Sequence, residues 1–439
     1  MKWEAVYQKK LIGMEEAVQR LPKRGVVIMG MAAMESQGFM SRVHEYADHF
    51  DFLRVISCLN MASYPFCEEQ KYEGKFLNEN WFYGPSNRMA AKKGYDLVTF
   101  IPNNLHQAGT NKIKALKDEG VPIIYWGPAT PMQTKTGFFN IGLSNVYEME
   151  VIEAADTVVM EVNEKIPWIH GDTQVHIDQV DFLVEHHREP PAIPSAEPGD
   201  VEKRIAAHIA ELVPDGATLQ IGIGGIPNAV AGMLKGKKHL GIHTEMFTES
   251  MIDLFENGTI TNREKTLWPG KFICTFALGS RRMYDWLDNN PGVMILRGNY
   301  VNKPEVLGQN SLMHSINTAM SVDLTGQVSS EAIGPIQYSG TGGQLDTHRG
   351  AQLSAGGKGI IALKSTAKKG TISTIVPTLA AGTMVTVPRQ DLDWVATEYG
   401  AVQLRGRTVA ERARKLISIA HPDYRDELER AAREIGYLH

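Results

Sequence analysis

The 439-residue chain has few cysteines, and the three present, Cys58, Cys67 and Cys274, form no Cys-x-x-Cys pair. This low, odd count excludes a disulfide framework, and without histidines at ligand spacing the sequence predicts no metal site. No apolar run approaches the ~18 residues of a membrane-spanning helix, and the opening MKWEAVYQKK lacks the apolar core of a signal peptide. These absences predict a cytoplasmic protein that does not bind a membrane.

The chain also lacks an excess of positive charge. Its 45 lysines and arginines are outnumbered by 50 aspartates and glutamates, and the formal net charge is −5. Because proteins that bind nucleic acids usually carry a strongly basic surface, no nucleic-acid partner is predicted.

The length and the apolar share of 43% are typical of a globular protein with two or three domains of ~150 residues each. The clearest break is HHREPPAIPSAEPGD (186–200), whose prolines and lack of periodicity predict a linker. On both sides of it, short β-rich runs alternate with amphipathic helical patterns, as in layered α/β domains. We therefore predict two α/β domains, 1–190 and 199–439.

Runs rich in β-branched and aromatic residues predict the strands of both domains. In the first domain they are Val26–Met29, Leu53–Ser57, Leu97–Ile101, Ile123–Trp126 and Thr157–Val162. In the second domain they are Thr218–Ile221, Leu240–His243, Phe272–Phe276, Val293–Leu296, Gly359–Ala362, Val385–Val387 and Trp394–Thr397. Apolar residues at helical spacing predict helices over Pro227–Leu234 and Val409–Ile419.

One acidic residue stands in apolar surroundings, within KKHLGIHTEMFTES (237–250). Glu245 follows a predicted strand and lies between Thr244 and Met246. An ionised carboxylate among such neighbours costs free energy unless another group pairs with it or uses it. Glu245 is therefore either a satisfied structural acid near a helix start or a residue that performs chemistry.

Two glycine-rich loops could supply backbone donors to such a carboxylate. LQIGIGGIPNAVAGML (219–234) predicts a strand, a turn and a helix with Pro227 at its first position. Its N–H groups and helix N-terminus would suit a phosphate or an oxyanion. SGTGGQLD (339–346) is a second loop of this kind. A carboxylate that attacks an acyl carbon, with N–H groups that hold the oxyanion, is the equipment of acyl transfer; two ordinary tight turns are the alternative.

The first loop also has a nucleotide-binding interpretation. Gly222 and Gly224 match the first two glycines of the dinucleotide motif G-x-G-x-x-G, and Glu245 lies about 20 residues further on, where a ribose-binding acid is expected. Pro227 occupies the third glycine position, so the match is partial.

At these residues the sequence resembles the family I CoA-transferases, specifically the branch of acetyl-CoA hydrolase/transferases and 4-hydroxybutyrate CoA-transferases, which also contains butyryl-CoA and itaconate CoA-transferases. The resemblance covers nearly the whole chain and implies two tandem α/β domains of the CoA-transferase (NagB/RpiA-like) fold, an active site between them, and a homodimer or homotetramer. The segments that carry it are NENWFYGPSNR (78–88), EVNEKIPWIHGDTQVH (161–176), TLQIGIGGIPNAV (218–230), GIHTEM (241–246), SGTGGQLD (339–346), RGAQLS (349–354), TEYGAVQLRGRT (397–408) and AHPDYRDEL (420–428).

Carried over position by position, the family's nucleophilic glutamate falls on Glu245. Its oxyanion and thioester contacts fall on six residues of the two loops: Gln220, Ile223, Gly224, Gly225, Gly342 and Gly343. Four lysines are candidates for the CoA phosphates, although exposed lysines need no function: Lys358, Lys364, Lys368 and Lys369. Of these, Lys358 is included in the predicted CoA-binding set. The implied reaction moves CoA between a short-chain acyl-CoA and a short carboxylic acid through a glutamyl-CoA thioester, without a cofactor, metal or ATP.

The sequence departs from the 4-hydroxybutyrate enzymes where the resemblance places the acyl pocket. Met29–Gly30–Met31–Ala32 stands where they have a histidine followed by small residues, QTKTG (133–137) replaces D-x-H-G, and Thr347 replaces a phenylalanine. Met31 predicts an apolar, adaptable pocket wall, whereas His348 and Arg349 would suit a second carboxylate. The acyl group stays open among 4-hydroxybutyrate, butyrate or acetate, and a dicarboxylate such as itaconate or succinate.

Three classes of function remain: a CoA-transferase, an acyl-CoA hydrolase that uses the same glutamate, and a non-catalytic subunit that binds CoA or a nucleotide. The first two differ in whether water is excluded from the acyl-glutamyl anhydride, and the third would not need Glu245. We predict the transferase. His170, Asp172 and His176 have the composition of a metal or charge-relay set, but the resemblance makes them structural.

Overall fold

The computed structural model describes residues 2–439, which divide into two compact units. The first comprises Met1–Ile193 and Cys274–Tyr300, and the second comprises Pro194–Ile273 and Val301–His439. Residues 186–199 form neither helix nor strand. The segment Cys274–Tyr300 follows the linker in sequence yet belongs to the first unit. The division into domains 1–190 and 199–439 stays a prediction.

The first unit is built on a parallel sheet of seven strands. Their order across the sheet is Val98–Phe100, Phe76–Asn80, Phe52–Ser57, Arg24–Met29, Ile123–Ala129, Thr157–Val162 and Phe182–Glu185. The strand Arg24–Met29 is apolar throughout after Arg24 and fully buried from Val26 on, because a parallel sheet is covered on both faces. The helices of this unit are Lys2–Lys10, Met14–Gln19, Gln37–Met40, Pro65–Glu68, Pro85–Lys92, Ala108–Glu119, Glu148–Ala154 and Arg281–Leu287.

The second unit has a six-stranded sheet. Its strands run in the order Gly241–Ile242, Thr218–Ile221, Met313–Thr318, Lys358–Ala362, Trp394–Thr397 and Gly400–Gln403. The first five are parallel and the last is antiparallel. The carboxyl ends of the five parallel strands therefore share one edge, which is where α/β sheets usually bind ligands.

Helices and small β-elements complete the second unit. Its helices are Asp200–Leu212, Gly225–Met233, Glu249–Glu256, Pro304–Leu307, Gln344–Leu353, Val409–Ser418 and Pro422–Ile435. Its short strands beyond the sheet include Ser321–Asp323, Val328–Ser329 and Ile375–Val376, and the hairpins Ala332–Ile333 with Ile336–Gln337 and Thr366–Ala367 with Ile372–Ser373. The core between the sheet and the two C-terminal helices is aliphatic, with Val322, Ile361, Val395 and Leu416 fully buried.

The α/β prediction is confirmed, and the predicted strands correspond to observed ones with one exception. Val385–Val387 forms no strand, and only Val387 makes an isolated bridge there, to Val328. Four strands of the two large sheets were not predicted: Phe76–Asn80, Phe182–Glu185, Met313–Thr318 and Gly400–Gln403. The first-loop helix begins at Gly225, so Pro227 is its third residue, still within the turn whose N–H groups lack intrahelical partners.

Within residues 2–439, no helix combines the length and the apolar character needed to span a lipid bilayer.

Candidate active site

Glu245 lies at the carboxyl edge of the second unit's sheet. It follows the edge strand Gly241–Ile242 by three residues and is partly buried. The residues before it are fixed: the N–H of His243 donates to the Leu219 carbonyl at 3.1 Å, and that of Thr244 to the Ile273 carbonyl at 2.9 Å. The backbone that carries Glu245 is therefore tied to neighbouring strands on both sides.

The His243 side chain anchors this segment as a neutral imidazole. It is fully buried, its Nε2 lies 3.0 Å from the Val301 carbonyl, and the Asn310 amide lies 3.1 Å from its Nδ1. Burial lowers the pKa of His243 to about 3, with a further contribution from the positive charge of Lys265. A ring that stays neutral can donate through Nε2 and accept through Nδ1 at the same time, so it links the segment before Glu245 to the Val301 carbonyl and the Asn310 side chain.

The Glu245 carboxylate is held by Asn302 and by the second glycine loop. The Asn302 Nδ2 donates to Glu245 Oε2 at 2.8 Å, and the Gly343 N–H also donates to this carboxylate. A Cβ built on Gly343 would lie 2.0 Å from Glu245 Oε2 and 2.0 Å from Asn302 Nδ2. Because real atoms never approach so closely, only glycine lets this carboxylate and this amide reach the backbone here.

The ionisation of Glu245 is shifted. Its pKa is raised to about 7, mainly because the carboxyl group is withdrawn from water. The Asn302 hydrogen bond opposes that shift, the negative charge of Asp346 adds to it, and the Gly343 N–H opposes it. At neutral pH the group is thus poised between its acid and its carboxylate form, which suits a nucleophile that must be both ionised and poorly solvated.

A buried polar network lies beneath the loops and includes Gln220. The Gln220 Oε1 accepts from Ser315 Oγ at 2.8 Å and from Asn317 Nδ2 at 3.2 Å. Ser315 Oγ also lies 2.8 Å from Thr347 Oγ1, and Asn317 Nδ2 donates to the same oxygen at 3.1 Å. Thr347 lies one turn into the helix Gln344–Leu353, whose N-terminal flank is Gly343. The network thus connects the first loop's strand to the helix that positions Gly343.

The first glycine loop borders a large cleft of about 1150 Å³ within the second unit. Ile223, Gly224 and Gly225 line it, and Gly224 has a φ of 116°, which explains the need for glycine at that turn. Ile223 is 45% exposed, unusual for an isoleucine and consistent with a ligand-facing position. The second loop reaches the same cleft through Gln344, whose amide donates to the carbonyl of the lining residue Thr318 at 3.0 Å.

The structure places the Glu245 carboxylate against Gly343 and lines the cleft with Ile223, Gly224 and Gly225, whereas Lys358 is not among the residues that line the cleft. Lys358 pairs in register with His314, one residue before the level of Ser315 and Gly359, so its side chain points to the opposite face of the sheet from Gln220. There its Nζ donates to the Leu212 carbonyl at 3.1 Å. Lys358 as a CoA contact stays a prediction, and Lys364, Lys368 and Lys369 line the cleft.

Other predicted residues are occupied elsewhere or lie in the first unit. Met31 belongs to the first unit and is buried, with its N–H 3.0 Å from Glu148 Oε1. His348 is fully buried and accepts from the Asp393 N–H at 3.1 Å, and Arg349 makes a bidentate ion pair with Asp391, so neither is available to a second carboxylate.

The histidine set of the first unit is not assembled as a site. His170 Nε2 lies 3.1 Å from Asn289 Oδ1, Asp172 pairs with Arg297, and His176 packs edge-on against Trp3. Across residues 2–439 no three or more His, Cys, Asp or Glu side chains are grouped to hold a metal ion.

Sequence reasoning missed Asn302. It is fully buried, and its Oδ1 has no hydrogen-bond partner among residues 2–439. Its contact with Glu245 spans 57 positions of sequence, and no spacing or composition in NYVNKPE signals it.

Comparison with known proteins agrees with this architecture. Models of the acetyl-CoA hydrolase/transferase N-terminal and C-terminal domains match residues 1–194 and 279–432, respectively. The chain belongs to the acetyl-CoA hydrolase/transferase family. The dinucleotide-binding interpretation of the first loop is therefore wrong.

Individual relatives match over most of their length. The 4-hydroxybutyrate coenzyme A transferase of Clostridium kluyveri is 39% identical over 98% of both chains. The succinyl-CoA:cyclohexane-1-carboxylate CoA transferase of Geobacter metallireducens is 45% identical over 82% of this chain and 80% of its own. The crystal structure of RipA from Yersinia pestis is similar over 100% of both chains, with a TM-score of 0.92 at 34% identity.

Proposed function

We propose that this protein is a CoA-transferase that moves CoA between a short-chain acyl-CoA and a free carboxylic acid, with Glu245 as the nucleophile. The observation that carries the proposal is the fit of the Glu245 carboxylate against Gly343, with Asn302 as its second donor. The similar enzymes named above are CoA-transferases, which favours transfer over hydrolysis.

The reaction would proceed by exchange of one thioester for another. A Glu245 carboxylate oxygen attacks the thioester carbonyl, the C–S bond breaks, and an acyl-glutamyl anhydride and a CoA thiolate result. The thiolate then attacks the glutamyl carbonyl, which releases the free acid and leaves CoA bound to Glu245 as a thioester. An incoming carboxylate reverses both steps, so each bond broken is matched by an equivalent bond formed and no metal, cofactor or ATP is required.

Backbone donors would stabilise the charge that develops in these steps. Each attack places negative charge on a carbonyl oxygen, and N–H groups fixed before the reaction stabilise it without reorganisation. The N–H groups around Gly224, Gly225, Gly342 and Gly343 are candidates for this role. Because Gly343 already contacts Glu245, the second loop could serve the glutamyl carbonyl and the first loop the substrate carbonyl.

The cleft beside the first loop is the proposed binding site for the acyl-CoA. Its volume of about 1150 Å³ exceeds that of ordinary small-molecule pockets and suits an extended ligand. Exposed apolar residues line it, including Ile223, Ile333, Tyr338 and Ile372, which would favour the pantetheine arm.

The acyl group is proposed to be short, with 4-hydroxybutyrate, butyrate, succinate and itaconate as candidates. Met31 as a wall of the acyl pocket is part of this proposal. Turnover with a panel of acyl-CoAs from acetyl- to palmitoyl-CoA tests the range, and a preference for palmitoyl-CoA would exclude it. A changed ranking of short acyl-CoAs in Met31→Gly would support that residue's place in the pocket, and an unchanged ranking would place it elsewhere.

The covalent intermediate provides the decisive experiment. Incubation with acyl-CoA alone should raise the intact mass by one CoA, and peptide mapping should place the adduct on the segment that contains Glu245. Borohydride, which reduces thioesters but not carboxylates, should inactivate only the enzyme treated with acyl-CoA. The matched control is Glu245→Gln, which should show neither effect. Rapid release of acid without any acceptor would favour the hydrolase, and the absence of an adduct with every short acyl-CoA would contradict the mechanism.

Assembly and location are proposed from the family resemblance. We infer a homodimer or homotetramer, which light scattering of the purified protein tests directly, and a cytoplasmic location, which cell fractionation tests.

A further inference from the structure

Glu331 is a buried carboxylate of the second unit, 5% exposed, and lies directly before the strand Ala332–Ile333. The donors to its side chain are neutral: Gln337 Nε2 lies 3.1 Å from Oε2, and Thr386 Oγ1 lies 3.0 Å from Oε1. An ionised carboxylate is costly to withdraw from water unless hydrogen bonds compensate it. Glu331 takes no part in the steps proposed for Glu245, so its use lies in what it holds.

Glu331 holds the second glycine loop at two points. Thr341 Oγ1 lies 3.1 Å from Glu331 Oε1 and 3.2 Å from its Oε2, so the threonine hydroxyl donates to this carboxylate. The backbone carbonyl of Glu331 accepts from the N–H groups of Tyr338 at 2.7 Å and Ser339 at 3.0 Å. One residue therefore fixes both the entry to the loop and the position directly before its glycine pair.

Thr341 begins the turn that presents Gly343 to Glu245. The Gln344 N–H lies 3.4 Å from the Thr341 carbonyl, which closes a turn over the two glycines between them. Gly342 adopts a φ of 52° in this turn. The helix that starts at Gln344 fixes the far end of the turn, whereas the near end depends on Thr341. Because glycines leave a loop wide conformational freedom, an anchor at the near end restricts where the Gly343 N–H can point.

We propose that Glu331 is a positioning residue, which acts through Thr341 to align the Gly343 N–H with the nucleophile. This proposal rests on the proposed function, because that function makes Glu245 the nucleophile. Glu331 does not touch the substrate; it supplies the geometry of a donor that must be fixed before charge develops on the glutamyl group. A carboxylate suits this task better than an amide, because both of its oxygens accept and it can hold Thr341 and Gln337 at once.

Two threonines bound to this carboxylate give a matched pair of variants. Thr341→Val and Thr386→Val each remove one hydroxyl from Glu331 Oε1, but only Thr341 belongs to the glycine loop. In Thr341→Val, kcat for CoA transfer should fall about 10-fold or more and KM should change little, because small misplacements at the reacting centre are costly. Thr341→Ser should restore kcat, and Thr386→Val should keep it even if stability falls. Equal losses of kcat in the two valine variants would overturn the proposal.

The pH profile separates positioning from a general loss of stability. The Gly343 N–H favours the ionised form of Glu245, so its displacement should raise the pKa of Glu245. The rising limb of kcat/KM should therefore move to higher pH in Glu331→Gln, whose amide offers only one acceptor oxygen. Asp323→Asn is the control: Asp323 is a buried carboxylate of the same unit, but its donors, residues 325–327, lie outside the loop. An equal shift in that control would contradict the positioning role.

The double variant Glu331→Gln/Thr341→Val tests whether the two residues act as one unit. Its kcat should match that of the slower single variant, and additive losses would overturn the proposal. Amide hydrogen exchange of a peptide that covers residues 338–345 is a readout without activity: exchange should be faster in both single variants and unchanged in Asp323→Asn. Protein with this exchange pattern that transfers no CoA would contradict the proposed function alone. Protein that transfers CoA with wild-type kcat and pH profile in both single variants would contradict the positioning role alone.

Discussion

Glu245 in the second unit and Glu161 in the first are two carboxyl groups in similar electrostatic situations with different surroundings. Withdrawal from water raises the pKa of each to about 7. Each also lies against a glycine: a Cβ on Gly343 would lie 2.0 Å from Glu245 Oε2, and one on Gly38 would lie 2.9 Å from Glu161 Oε2. A raised pKa and a glycine neighbour therefore do not by themselves identify a catalytic carboxylate.

The two groups differ in what holds them. Glu161 lies within an interior strand, is 2% exposed, and receives a backbone N–H on each oxygen, from Gly38 at 3.0 Å and Phe39 at 3.2 Å. Glu245 lies beyond a strand end at the carboxyl edge of a sheet and is only partly buried. Both oxygens of the Glu161 carboxyl group are hydrogen-bonded inside a sheet, so this group joins chain segments. Glu245 lies at a sheet edge near the glycine loops, where a substrate can reach it.

The largest expected effect comes from neutralising the two glutamates in turn. Glu245→Gln keeps the shape but removes the nucleophile, so kcat/KM for CoA transfer should fall by about 10⁴-fold or more, as for other nucleophiles. Glu161→Gln should leave transfer near the wild-type rate but lower the free energy of unfolding by about 1–3 kcal/mol, because the new amide cannot accept both N–H groups.

Denaturant unfolding and a thioester-exchange assay on both variants test this contrast. Unfolding of Glu245→Gln should match the wild type closely enough to exclude misfolding as the cause of lost activity. If Glu161→Gln lost transfer as completely as Glu245→Gln while remaining folded, the distinction between the two groups would be wrong.

Substitution of the glycine beside each glutamate should give the same contrast with a smaller effect: loss of activity at Gly343 and loss of stability at Gly38. Gly343→Ala would displace the Glu245 carboxylate and the Asn302 amide, and a displacement near 1 Å costs about 10²-fold in rate. Gly38→Ala places a methyl group against Glu161 and His186 and should cost about 1–3 kcal/mol of stability through overpacking. Steady-state kinetics and thermal unfolding on the pair distinguish these outcomes; loss of stability without loss of rate in Gly343→Ala would contradict the role given to that loop.

The pH dependence of transfer depends on the partners of Glu245. The group attacks as an anion and its pKa is about 7, so kcat/KM should rise with pH through that region. The Asn302 hydrogen bond favours the anion, so Asn302→Ala should move this limb to higher pH and lower the rate at pH 7 by about 10-fold or more. The charge of Asp346 disfavours the anion, so Asp346→Asn should move the limb to lower pH. Shifts of both variants in the same direction would exclude Glu245 as the titrating group.

Buried polar residues also explain which strands could be predicted from the sequence and which could not. Most strands were predicted because their residues form continuous apolar runs, as in Val26–Met29. Phe76–Asn80 and Met313–Thr318 were missed because their buried positions include Asn78, Asn80, His314 and Ser315, which interrupt the apolar pattern. Their burial depends on partners elsewhere in the chain, such as Ser57 for Asn78 and Gln220 for Ser315.

The residues of the candidate site also divide into those that the sequence could predict and those that it could not. Glu245 and the glycine loops could be identified because the chemistry restricts residue type at those positions, and the structure places Glu245 in contact with Gly343. Asn302 could not, because its role follows from a tertiary contact with Glu245 rather than from local pattern. Lys358 illustrates the limit: strand register, which the sequence does not show, puts its side chain on the opposite face of the sheet from Gln220.

The smallest expected effect concerns Thr347, where this chain departs from the phenylalanine of the 4-hydroxybutyrate enzymes. The Asn317 amide donates to its hydroxyl oxygen in the network that holds Gln220, and Ser315 Oγ lies 2.8 Å from that oxygen. Thr347→Val therefore removes a polar partner of both residues in a site that is 1% exposed. Stability should fall by about 1 kcal/mol, the net value of a typical hydrogen bond. If the network positions Gln220 for the substrate, kcat should also fall by up to about 10-fold, which corresponds to 1.4 kcal/mol in the barrier. Thr347→Ser keeps the hydroxyl and should restore kcat even where its smaller side chain costs some stability. Because valine keeps the volume and serine keeps the hydroxyl, a valine variant with wild-type rate and stability beside an impaired serine variant would show that Thr347 acts through its volume alone.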